Sequence, residues 1–233
     1  MKGKAIAVLF YGAVLCAALI LTVWGDRAVT AMSESAPIVG RNCIIIDAGH
    51  GLPDGGAVSC TGVYESAVNL QISQRLNDLL RLLGHDTKML RVNEDSVYTE
   101  GETIGQKKVS DLKQRVRLVN ETDHGILLSI HQNHYTDSRY SGAQMFYAST
   151  PGSEALAKML QQGFVTHLNK GSNRQIKKCQ GIYLMEHVNT TAVLVECGFL
   201  SNPREEALLR DEAYQKKICC VIASALSNYL ANT

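Results

Sequence analysis

Short apolar runs alternate along this chain with longer stretches in which apolar residues recur every three or four positions. The runs cover residues 43–47, 86–91, 125–130, 143–147, 182–185 and 192–196, and their length and β-branched content predict strands. Between the first two, Val68, Ile72, Leu76, Leu79 and Leu83 make one stripe of a helix over residues 65–83, which Gly84 ends. Leu112, Val116 and Val119 repeat that spacing after Ser110. A third helix is expected with Thr150 as cap and Pro151 in its first turn, burying Leu156, Leu160, Phe164 and Leu168. A last helix starts near Glu212 and turns Tyr214, Ile218, Ile222, Leu226 and Tyr229 inward. Strands separated by helices predict an α/β fold, with one domain over residues 42–233 built on a mostly parallel central sheet of about six strands flanked by helices.

The amino terminus follows another pattern. Lys2 and Lys4 precede an uncharged stretch of 20 residues, 5–24, which Asp26 and Arg27 end. As a hydrophobic helix rising about 1.5 Å per residue it would cross a bilayer core of roughly 30 Å. Residues 1–27 are therefore expected to be a signal peptide or a membrane anchor. Val29-Thr30-Ala31 offers a cleavage site, yet the run is long for a signal peptide, which favours a retained anchor. The leading lysines put everything beyond Trp24 outside the cytoplasmic membrane. Residues 28–41, with Thr, Ser, Glu and Pro and little periodicity, read as a linker.

Composition narrows the range of partners. A net charge of +1 and an aromatic content of 6% without basic interleaving exclude nucleic acid as the main partner. Seven cysteines cannot all pair, and there is no Cys-x-x-Cys. Cys43 and Cys197 fall in or beside core strands, so mostly free, buried thiols are expected and a sulfur-held metal is not.

Chemistry gathers at the ends of the apolar runs. Ile44-Ile45-Ile46-Asp47-Ala48-Gly49-His50-Gly51 displays an imidazole on a glycine-flanked turn just past a strand, where open α/β sheets bind ligands. His131 follows Leu128-Ser129-Ile130, Glu196 closes Ala192-Val193-Leu194-Val195, and Glu65 opens the helix that follows a glycine-rich loop. Taken singly, His50 could be a turn residue bonded to backbone, Glu65 a helix-start carboxylate favoured by the dipole, and His131 a strand-end residue. Glu196 is harder to explain so, because burying a lone carboxylate is expensive. Two histidines and a carboxylate suit zinc, a second glutamate suits proton transfer, and together the four point to a hydrolytic metal site. His134 is another candidate ligand or, preferably, a loop residue touching substrate; His187 could line the cleft. The polar connection 93–108 is a candidate cleft wall or partner surface.

These motifs carry a resemblance. Gly49-His50-Gly51 with Asp54-Gly55-Gly56-Ala57, then Glu65 with Asn69-Leu70, resembles the opening of zinc-dependent N-acetylmuramoyl-L-alanine amidases. Ser129-Ile130-His131-Gln132-Asn133 is similar to their second histidine motif, and Val195-Glu196-Cys197-Gly198-Phe199-Leu200-Ser201-Asn202-Pro203 to their carboxy-terminal signature. Leu52-Pro53-Asp54-Gly55-Gly56 departs from the commoner Gly-Gly-x-Asp-Pro-Gly. That version, with Lys107-Lys108-Val109-Ser110-Asp111-Leu112 and the stretch from Asp137 to Gln144, is most similar to the spore-cortex amidases of endospore formers.

The resemblance implies that His50, Glu65 and His131 hold Zn2+ and that Glu196 is the catalytic carboxylate. It also implies that peptidoglycan is the substrate, cut at the amide between muramic acid and L-alanine on the way to muramic lactam. Asn133 and His134 are expected to meet substrate, and Gly198 to keep the turn after Glu196 close to the metal. Asn202-Pro203 reads as a helix cap and first turn, with Ser201 structural. The expected setting is extracytoplasmic, secreted or anchored to the membrane through the N-terminal segment and in reach of the spore envelope, with an exported accessory protein as a further partner. Oligomeric state is not legible. Two rival readings remain at this point, a zinc peptidase cutting within stem peptides and a non-catalytic wall-binding module.

Overall fold

The computed structural model describes residues 42–233; the expected signal peptide or anchor (1–27) and linker (28–41) lie outside the described residues. The elements follow one another as β1 (Cys43–Ala48), α1 (Glu65–Leu82), β2 (Asp86–Met89), α2 (Ile104–Asn120), β3 (Gly125–Asn133), β4 (Gln144–Tyr147), α3 (Ser153–His167), β5 (Lys177–Lys178), α4 (Tyr183–His187), β6 (Thr191–Phe199), α5 (Pro203–Arg210) and α6 (Glu212–Ala231). They form one six-stranded sheet in the order β2-β1-β3-β6-β4-β5. All neighbours are parallel except β4 against β6. The expected architecture stands.

Alternation along the strands feeds two cores. Ile44, Ile46, Leu128, Ile130, Val193 and Val195 face α1, α3 and α6, which bury Ile72, Leu76, Leu160, Phe164, Ile218 and Ile222 against them. The other face carries Ile45, Leu127, Ala192 and Leu194 under Val119 of α2 and Leu184 and Met185 of α4. Continuing on that second face, the strand positions turn polar toward their C-terminal ends, as Asp47, Ser129, His131 and Glu196. The sheet thus delivers two of the four candidate residues to the edge where β1, β3 and β6 lie side by side.

Three expectations are corrected, and one strand is new. Residues 182–185 are not a strand but the start of α4: Gly181, at φ 74, turns the chain, and the Glu186 carboxylate accepts the Gly181 N–H at 2.6 Å. A four-residue apolar run does not distinguish strand from helix by period alone. Helix α2 begins at Ile104, because Thr103 and Gln106 form a reciprocal capping box, so the connection before it is shorter than 93–108. Helix α3 is entered through Gly152 in a left-handed conformation; Thr150 instead hydroxyl-bonds Ser153 at 2.8 Å and donates to the Thr190 carbonyl at 2.6 Å. The two-residue β5, both lysines exposed, has no apolar signature and was not expected. By contrast Asn202 caps α5 by accepting the Arg204 and Glu205 N–H groups, with Pro203 in the first turn, and Ser201 accepts the Tyr135 N–H at 3.0 Å. The six described cysteines are unpaired, three of them buried. Among the described residues no helix is long and apolar enough to cross a membrane.

Candidate metal centre

His50 leaves β1 with a positive φ of 60, a conformation that costs free energy in a non-glycine residue. The surrounding hydrogen bonds hold it there. Two buried arginines grip the carbonyls of the turn: Arg115 donates to Ala48 at 2.9 Å and to His50 at 2.6 Å, and Arg91 donates to Ala48 at 2.7 Å and Gly49 at 3.1 Å. Arg115 is itself fixed by Asp111 at 2.8 Å and by a close ion pair with Asp47, which also accepts the Ser129 hydroxyl at 2.6 Å. Burial alone would raise the Asp47 carboxyl, but the Arg115 charge and the Ser129 hydroxyl hold it below the usual carboxylate range.

Glu65, the first residue of α1, is buried, with relative exposure of 4%. Its Oε1 lies 2.9 Å from His131 Nδ1 and accepts the Gln132 N–H and the Asn69 amide; its Oε2 lies 3.3 Å from His50 Nε2 and accepts the Ala57 N–H. The other nitrogen of His50, Nδ1, faces Asp54 Oδ2 at 3.1 Å, and Asp54 is in turn paired with Lys108 at 2.9 Å. Burial works against charge on His50, yet the hydrogen bonds to Asp54 and Glu65 raise it to about 9. Burial would likewise raise Glu65, but the two histidines hold it well below the carboxylate range.

One ligand atom from each of His50, Glu65 and His131 lies within 4.8 Å of the other two. Two imidazole nitrogens and a carboxylate oxygen are a three-residue donor set that a tetrahedral divalent metal accepts, leaving its fourth position open. A tetrahedron with bonds near 2 Å has edges of about 3.3 Å, comparable to the spacing of the Glu65 and His50 atoms. The second nitrogen of His50 already has a carboxylate partner, as metal-bound histidines usually do. Two glycines leave the room: a Cβ on Gly49 would lie 2.2 Å from His131 Nε2, and one on Gly56 2.6 Å from Glu65 Oε2. The residues present fit a metal ion.

Glu196 stands beside His131 as its register partner on β6. Its Oε2 is shut off from solvent without a hydrogen-bond partner. Burial, with the Glu65 charge adding to it and the two imidazoles opposing, raises its carboxyl to about 7, in the range of a group that takes and returns a proton near neutrality. His50, His131 and Glu196 line a cleft of about 280 Å³ between α2 and α4. A larger hollow of about 1150 Å³, lined by Arg139, Lys170 and Arg204 among others, holds none of the four, so volume is a poor guide to the chemistry here.

The other expected residues stand elsewhere. Asn133 ends β3, with its carbonyl accepting the Leu200 N–H, and His134 is exposed; neither lines the cleft. His187 stacks on Tyr183 at 4.0 Å, outside the lining. A Cβ on Gly198 would meet Glu205 and Leu209 at 3.3 Å, so this glycine makes way for α5 rather than for a metal. Sequence reasoning missed Arg115, Arg91 and the Asp54–Lys108 pair. The signal for Arg115 was an arginine on the same helical stripe as Asp111 and Val119.

Comparison with known proteins agrees with this geometry. The family described as N-acetylmuramoyl-L-alanine amidase matches residues 44–228. The germination-specific N-acetylmuramoyl-L-alanine amidase of Bacillus subtilis is 36% identical over 197 residues, covering 84% of this chain and 82% of that protein. The CwlD amidase of Clostridioides difficile, solved in complex with the GerS lipoprotein, superposes with a TM-score of 0.80 at 36% identity, over 83% of this chain and 100% of that one. An N-acetylmuramoyl-L-alanine amidase from Clostridium difficile 630 gives 0.72 at 28% identity, over 84% and 100%. With the sequence matched from β1 into α6 and the fold shared throughout, this chain belongs to the N-acetylmuramoyl-L-alanine amidase family and is a hydrolase.

Proposed function

We propose that this protein hydrolyses the amide joining the lactyl group of N-acetylmuramic acid to L-alanine in peptidoglycan, outside the cytoplasmic membrane, with zinc held by His50, Glu65 and His131. The observation that carries the reading is the meeting of those three residues, remote in sequence, within 4.8 Å beside the unpartnered Oε2 of Glu196. A bound zinc supplies Lewis acidity, which polarises a carbonyl and brings the pKa of water toward about 7. Glu196 Oε2 accepts the proton of the attacking water and returns it to the nitrogen of the departing L-alanine. Asp54 keeps the His50 ring oriented through Nδ1, and Gln132 and Ala57 hold the Glu65 carboxylate by their N–H groups. The α2 and α4 walls narrow access to the floor of the cleft.

The spore cortex is the proposed substrate layer, supported by the similarity to the germination-specific amidase. There the product is muramic acid stripped of its peptide, on the way to muramic lactam. An exported accessory protein belongs to the proposal, because the Clostridioides difficile relative was solved with a lipoprotein. So does anchoring through residues 1–27, which rests on the uncharged stretch after Lys2 and Lys4. Asn133 and His134 are retained as contacts for parts of the substrate beyond the cleft.

The test is digestion of purified peptidoglycan with the full-length protein, with and without a chelator, followed by mass spectrometry of the fragments. Free peptides beginning with L-alanine, lost on chelation and restored by zinc, are the expected result. Cleavage between amino acids of the stem peptide, or no release at all, contradicts the assignment.

A further inference from the structure

Among the described residues, Lys108 is the one lysine or arginine of the cleft lining whose charge faces solvent. Arg115 is only 2% exposed and is committed to Asp47, Asp111 and the carbonyls of Ala48 and His50. Lys108, on the first turns of α2, has a side chain 47% exposed and a single polar partner, Asp54, at 2.9 Å. An ammonium offers three donors, so two remain directed away from Asp54. Beyond the proposed zinc ligands, Lys108 itself and Arg115, whose charge is taken up by Asp47 and Asp111, the remaining acidic or basic side chains of the lining are the carboxyls of Asp54 and Glu196. Apart from the metal position, Lys108 is therefore the lining group placed to attract an anionic ligand.

Resting on the proposed amidase reading, we infer that Lys108 determines specificity by pairing with a free carboxylate on the peptide side of the scissile amide. The glycan side cannot supply that anion, because the lactyl carboxyl of N-acetylmuramic acid is consumed in the amide itself. The second residue of the stem peptide can, wherever the chain continues through its side-chain carboxyl, which leaves its α-carboxyl free one residue beyond L-alanine and so about 7 Å along an extended chain from the reacting carbonyl. Lys108 lies at a comparable reach: Asp54 bridges it to His50 Nδ1 by contacts of 2.9 and 3.1 Å, and the imidazole ring leads on to Nε2. Across the cleft stand Gly181, Ile182 and Tyr183, an uncharged wall that offers the same peptide no competing cation. Lys108 thus reads an acidic peptide and discriminates against one whose second-residue carboxyl is amidated.

The experiment uses the zinc-loaded full-length protein and two muramoyl peptides that differ only in that carboxyl, free or as the carboxamide. The wild type is expected to favour the free acid by about tenfold in kcat/KM, as a charge-assisted contact at a half-exposed site would give, with the difference in KM. Lys108→Met brings the ratio to about one, Lys108→Arg keeps it, and Lys108→Glu reverses it. Zinc content measured on each variant separates a reader of substrate charge from a prop for Asp54. Equal rates of the wild type on both peptides, a ratio that survives Lys108→Met, or loss of zinc from Lys108→Met overturns the inference while leaving the amidase reading intact. Failure to cleave either peptide overturns both.

Discussion

His131 and Glu196 are register partners on the adjacent parallel strands β3 and β6, so the proposed metal ligand and the proposed proton carrier are set side by side by one sheet ladder. Neighbouring strands lie about 4.8 Å apart, which fixes their separation without a loop having to order. Both belong to the polar ends of strands whose preceding same-face residues, Leu127 and Leu194, are buried core. The same pairing gives the two residues different consequences on mutation.

Glu196→Gln keeps the shape of the side chain but not its basicity. It is expected to bind zinc at wild-type stoichiometry while losing turnover by about 10²-fold or more, the usual scale for general acid–base catalysis. Metal analysis alongside peptide release checks this, and a variant that still turns over at near wild-type rate assigns the proton to another group.

His131→Ala removes a donor atom. Both zinc content and activity are expected to fall together, and full zinc occupancy in this variant would count against the ligand set.

Gly49→Ala tests how closely the turn approaches the centre. The added Cβ would stand 2.2 Å from His131 Nε2, so the ring must shift. Metal affinity is expected to drop by about 10-fold or more, as for other disturbances of ligand orientation, with little change in the far-ultraviolet circular dichroism spectrum. Unchanged affinity would show that His131 has another rotamer available.

The buried Asp47–Arg115 pair predicts an acid limb of stability. Asp47 has a folded pKa depressed below its unfolded value of about 3.9. Its contribution is therefore full above that value and is lost as pH falls through the lower, folded one. Thermal or urea unfolding between pH 6 and 2 should show stability declining mainly below about pH 4. Asp47→Asn should cost about 3–5 kcal/mol at neutral pH, because Arg115 is left buried and incompletely paired, and should flatten the acid limb. Equal slopes in variant and wild type would move that dependence to other carboxylates.

The strands that position the centre were readable because their interiors are nearly all apolar, and a charged residue ending such a run stands out. Ile44-Ile45-Ile46 before His50 and Ala192-Val193-Leu194-Val195 before Glu196 are cases of this. Glu65 was readable as the start of a striped helix that follows the glycine-rich loop after His50. Elements without such contrast were not readable. The segment 182–185 is short and apolar in either conformation, and β5 is two exposed lysines held only by backbone pairing with β4. The capping box at Thr103 was present in the sequence and sets the helix that carries Lys108. The grip of Arg115 and Arg91 on the turn carbonyls depends on three segments converging, and local spacing shows only that Arg115 shares a helical stripe with Asp111 and Val119.

The central claim is a single ion held by three distant residues, and anomalous diffraction at the zinc edge from crystals of the zinc-loaded protein tests it most directly. One peak is expected within about 2.0–2.2 Å of a nitrogen of His50, a nitrogen of His131 and an oxygen of Glu65, with Glu196 outside the ligand set. A peak elsewhere, or one lacking any of those three contacts, contradicts the account.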